Sequence, residues 1–168
     1  MSSSLYWSIT AALVAVLLAV AVWALLTANR LDRLHVRYDL SWQALDSALA
    51  RRAVVARAVA VDAYGPSPEG KRLAALAGVA ERAPRSTRET CENELSAALE
   101  LVDPTSIPVA LVVELADAET RVLLARRFHN DAVRDTLALR DRRAVRWLRL
   151  GGTAPLPTFF EIAESGQR

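Results

Sequence analysis

Three polar residues in the last third of the chain, Glu119, Arg126 and Asn130, stand seven and four positions apart. That spacing lines them along one border of a helical stripe. A carboxyl, a guanidinium and an amide on one face could bind and polarise a substrate, and a membrane-tethered hydrolase built on them is the catalytic alternative. The same pattern also serves a helical bundle as ion pairs and hydrogen bonds that fix helix register, with Asp39, Asp46 and Arg52 of an earlier helix as candidate partners. Long polar residues at a bundle seam usually have this second role, and an interhelical polar network is the expectation.

Other chemistry has thinner support. His35 and His129 lie far apart, Cys91 is the single cysteine, and no HExxH or CxxC occurs. No metal site is therefore expected, because its ligands must converge at about 2 Å. A lone cysteine excludes an internal disulfide framework, and Cys91 reads as a small half-buried helix residue rather than a nucleophile. Gly151-Gly152 lacks the lysine and following helix of a phosphate loop, and no nucleophile motif is present. The sequence names no cofactor and no catalytic residue.

The helices that must hold these residues hang from one stretch. From Leu5 to Ala28 the chain has no charged residue, no histidine, no proline and no glycine, and eleven of its residues are Leu, Ile or Val. A helix of this length spans about 36 Å, against a hydrocarbon core of about 30 Å. A cleavable signal peptide would occupy the same place, but MSSS supplies no basic n-region and the apolar run is longer than a signal core. The expectation is a retained single-pass anchor over residues 1–28. Arg30, Arg33 and Arg37 follow it closely while no charged side chain precedes it, which predicts an outside N-terminus and a cytoplasmic C-terminal domain, residues 29–168. These three arginines are also the membrane-proximal basic residues expected to meet anionic lipid.

Beyond the anchor, Leu31, Leu34, Tyr38, Trp42, Leu45, Leu49, Ala53 and Ala56 recur in steps of three and four, one helical stripe expected to reach about Val61. With no Pro or Gly before Gly65, anchor and stripe are expected to form one continuous helix. YGPSPEG is the first turn. A short helix is expected from Lys71 to Ala83, and a third, opened by a Ser86/Glu89 capping box, from Thr87 to Val102. Pro108 suits the start of a fourth helix reaching Arg140, with Leu111, Leu115, Ala118, Val122, Ala125, His129 and Val133 on one stripe. Arg140 to Gly152 reads as amphipathic and basic, and GGTAPLPT as a break before Phe159-Phe160-Glu161. The fold class is all-α: an N-terminal transmembrane helix continuous with a long amphipathic helix of an antiparallel bundle.

Charge is uneven along the chain. Its formal sum is only +2, yet residues 69–119 hold ten acidic and five basic side chains, and residues 126–149 eight basic and three acidic. The basic segment suits a solvated or internally paired face first and anionic lipid second. Nucleic acid is not expected, since stacking aromatics are few.

Several residues resemble the LemA family. Asn29-x-Leu31, Asp39, Ser41-Trp42, Asp46, Leu49 and Arg51-Arg52 are similar to the family's opening; Glu119, Arg121, Ala125-Arg126 and Asn130-Asp131-Ala132-Val133-Arg134 resemble a second segment; Phe159-Phe160-Glu161 resembles its close. His129 stands where the family has Tyr, and Val54 to Val59 departs from its usual continuation, so the chain resembles a divergent member. The resemblance implies a membrane-anchored helical bundle and no particular activity. Together these readings predict a non-catalytic interaction, scaffold or accessory subunit of a membrane assembly, working with a protein partner or as a homo-oligomer.

Overall fold

Nothing in the first sixty-four positions stops a helix, and α1 runs from Ser2 to Tyr64. Gly65 ends it in the left-handed region at φ 57°, where a side chain would be strained. The structure, a computed structural model, describes residues 2–148 and 155–162. Among the described residues it is helical with no strand. α2 (Pro68–Arg82) starts with Ser67 as N-cap, its hydroxyl accepting from the Gly70 amide, and with proline in its first turn. Gly70 lies so close to the end of α1 that a Cβ there would sit 2.4 Å from the Gly65 carbonyl oxygen.

α3 (Arg85–Leu99) begins two residues earlier than the capping-box pattern suggests. Pro84 occupies the N-cap without a side-chain bond, and Ser86 falls inside the first turn. A 3-10 turn (Pro104–Ser106) follows, capped by the Asp103 carboxylate accepting from the Thr105 amide at 2.9 Å. α4 (Val109–Arg140) is the second long helix, and α5 (Arg143–Trp147) is a separate short one. Of the basic segment read from sequence, Arg149 to Gly152 lie outside the described residues.

The chain divides into two compact units. One comprises residues 39–131 and 158–168. Its core joins Ala53, Ala56 and Val59 of α1, Leu73 and Ala77 of α2, Leu95 and Leu99 of α3, and Leu111 and Ala118 of α4. A second cluster holds Leu45 and Leu49 against Val122 and Phe160. Rising numbers on α1 meet falling numbers on α4, so these segments run antiparallel. The small residues of the α1 stripe allow close approach of helix axes, and Leu and Val fill the space between.

The other unit comprises residues 1–38 and 132–157. Leu31 and Leu34 of α1 pack there with Leu139 and Val145. Arg37 pairs with Asp135 at 2.9 Å between two exposed side chains. The N-terminal part of α1 is long and apolar enough to cross a membrane, and none of its apolar window is buried. Trp7, for example, is 76 % exposed.

Candidate functional site

Phe160 belongs to a segment without regular secondary structure, yet its side chain is buried beside Leu45, Leu49 and Val122. Full burial of such a ring contributes about 1.5 to 3 kcal/mol. The main chain around it is caught by α4. Asn130 accepts from the Phe160 amide at 2.9 Å and donates from Nδ2 to its carbonyl at 3.0 Å. Arg126 donates to the Ile162 carbonyl at 3.2 Å, and His129 Nε2 reaches the Thr158 carbonyl at 3.3 Å. Carbonyls of every second residue are thus held by side chains within about one turn of a helix.

A carbonyl can only accept, which fixes the chemistry of His129: Nε2 carries the hydrogen and Nδ1 accepts from the Ser41 hydroxyl at 3.1 Å. His129 is fully buried, and burial foremost pushes its pKa below the ordinary histidine value, with the Arg85 charge acting the same way and the Thr158 bond opposing. Trp42 meets both His129 and Phe160 edge-on, at centroid distances of 5.6 and 5.7 Å. The Arg85 guanidinium lies over the same ring at 4.0 Å.

A second polar centre joins α1 to α3. Arg52 donates to Glu92 Oε2 at 2.7 Å and to Ser96 Oγ at 3.0 Å, and Arg88 Nε donates to Glu92 Oε1 at 3.1 Å. All three charged residues are buried. Arg88 also donates to the Glu81 carbonyl at 3.0 Å and pairs with the half-exposed Asp46 at 3.1 Å. Two buried guanidiniums around one carboxylate, balanced by Asp46, make the desolvated charge tolerable.

Of the six residues read from sequence as one network, Arg52 stands near enough to Glu119 for its charge to act on that carboxyl, while the rest divide among different surroundings. Arg52 and Asp46 belong to the α1–α3 centre, while Arg126 and Asn130 hold the tail; Asp39 is exposed. Glu119 lines a groove of about 250 Å³ with Leu99, Val102, Ile107, Val112 and Leu115. Burial raises its carboxyl pKa; the Arg52 charge opposes and Glu100 adds to the rise. Arg126 stands about 10 Å further along the helix, so the acid and the tail-holding groups do not converge on one cavity.

Sequence reading missed Glu92 and Arg88. The signal was present: with Leu95, Ser96 and Leu99 they share one face of α3, a charged pair four residues apart on an apolar stripe. Among the described residues no group of three or more His, Cys, Asp or Glu is placed to hold a metal ion. Cys91 is half-buried at the edge of the core. No protein-family model matches the chain, and no curated protein or solved structure matches it either.

Proposed function

We propose that this chain is a single-pass membrane protein whose cytoplasmic helical domain is a non-catalytic docking module, either a scaffold or an accessory subunit of a membrane assembly. One observation carries the reading: the helix whose exposed, uncharged first part suits a bilayer continues as the helix whose buried stripe organises a packed core. A domain borne on such a helix is held at the bilayer surface, where helical faces meet partners anchored in the same plane. The cytoplasmic orientation is supported by Arg30, Arg33 and Arg37, which follow the apolar run. Kinship with the LemA family is part of the proposal. What supports it is that Trp42, Leu49 and Arg52, residues of the resemblance, each have a packing or pairing role.

The catalytic alternative has Glu119 in its favour, a half-buried acid with a raised pKa on the wall of a groove. The separate engagement of Arg126 and Asn130 with the tail favours docking.

Alkaline carbonate washing and thiol labelling test the proposal together. The protein is expected to stay in the membrane pellet, and Cys91 to escape a membrane-impermeant maleimide in intact cells, reacting once the membrane is opened. Release by carbonate contradicts the anchor, and labelling in intact cells contradicts the orientation.

A further inference from the structure

The end of the apolar run and the basic helix α5 lie at one level within their unit. Leu31, which packs with Leu139 and Val145, stands only three residues past Ala28, about 4.5 Å of helix rise beyond the uncharged run. Val145 is the inward residue of α5. Its neighbours Arg142, Arg143 and Arg146 are exposed, and Trp147 is 85 % exposed. Trp147 is two residues from Val145, about 3 Å of rise. The headgroup layer is about 5 to 7 Å deep on each side of the hydrocarbon core, so a helix fastened at Leu31 falls within it.

The charge at this level is one-sided. Residues 30–34 and 139–148, which flank the Leu31–Leu139–Val145 contact, together hold six arginines against two aspartates, with no lysine and no glutamate. Arginine forks match phosphate oxygens, and an exposed indole suits the boundary between apolar chains and water. A water-facing role explains the arginines but leaves the fully displayed Trp147 ring without a reason.

We propose that α5 and the arginines around it are a docking platform for anionic phospholipid headgroups, with Trp147 lodged among them. This rests on the reading that α1 crosses the membrane, and names the lipid chemistry its domain meets there. The platform would hold α5 against the bilayer surface at a second point beside the anchor.

The test uses the full-length protein in vesicles of phosphatidylcholine, with or without phosphatidylglycerol. Emission from Trp147 is isolated as the difference between the natural protein and Trp147→Phe. In the anionic vesicles acrylamide is expected to quench it several-fold less than in the neutral ones. The protection is expected to disappear in about 1 M salt, where the Debye length falls to about 3 Å. It is also expected to disappear in the Arg142→Gln, Arg143→Gln, Arg146→Gln variant, whose exposed substitutions leave the core intact. Equal quenching in both vesicles overturns the platform while leaving the anchor standing, and assigns the arginines to an acidic protein partner instead. Failure to float with either vesicle overturns the anchor and the platform with it.

Discussion

Asn130 and Phe160 are joined at both main-chain groups of the phenylalanine: the amide of one side chain accepts at 2.9 Å and donates at 3.0 Å. A single asparagine thereby treats an irregular segment as a neighbouring strand would, and the ring beyond it fills the gap between Leu49 and Val122. The tail is a structural member of its unit.

Asn130→Ala removes both partners of the Phe160 main chain. The expected loss is about 1 to 3 kcal/mol of stability, the usual cost of leaving buried polar groups unpaired. Chymotrypsin cleavage at Phe159-Phe160 should become faster. Asn130→Asp keeps the acceptor for the Phe160 amide and should fall between the two. Unchanged cleavage in the alanine variant would show that the clamp does not hold the tail.

The buried charges predict a sharp contrast between two acids. Glu92→Ala leaves the guanidiniums of Arg52 and Arg88 facing an empty space and should cost about 3 to 5 kcal/mol. Asp46→Ala removes a partner whose side chain is 48 % exposed and should cost about 1 kcal/mol or less. Chemical denaturation of the two variants checks this, and equal midpoints would mean that Glu92 is not the centre of the network.

His129 sets a pH dependence. Its folded-state pKa lies below the unfolded value of about 6.5, so the unfolded chain binds the proton more readily. Its stabilising contribution is full above about pH 6.5 and declines as pH falls through the window between that value and the lower folded one. Melts of the natural protein and His129→Gln at neutral and mildly acidic pH should converge as acid is added. A constant gap would exclude this titration.

Glu119 acts in the opposite sense. Its raised folded pKa means that ionisation opposes folding, an effect absent below the unfolded value of about 4.5 and growing as pH rises through the folded one. Glu119→Gln should therefore be more stable than the natural protein at pH 7 and indistinguishable from it in acid. Loss of stability at pH 7 would show that the Arg52 charge, which favours the carboxylate, outweighs burial.

Much of this architecture was legible. The absence of Pro and Gly before Gly65 forecast one helix from the apolar run to the core, and the stripe from Leu45 to Ala56 forecast its buried face. His129 fell on the apolar stripe of α4 and is buried there. Periodicity also put Glu119, Arg126 and Asn130 along one border, but a helix turns only about 100° per residue and rises as it turns, so residues sharing a border can meet different neighbours. Which neighbours depends on where α3 and the tail cross, and no local pattern encodes that. α3 starts at Arg85 because the fixed φ of Pro84 suits the extended N-cap position, which leaves Ser86 already inside the first turn. The polar contacts that hold the tail were invisible for a further reason: they run to its main-chain atoms, which carry no residue identity.

Docking at a membrane, the function proposed for the helical domain, is tested by the composition of what leaves the membrane with the protein. The tagged full-length protein, extracted in mild detergent at native expression, is sized by light scattering and its companions weighed by mass spectrometry. An assembly larger than one chain is expected, either with a stoichiometric membrane partner or as a defined homo-oligomer. A single monomeric species, stable across detergents, would contradict docking and turn attention to the Glu119 groove.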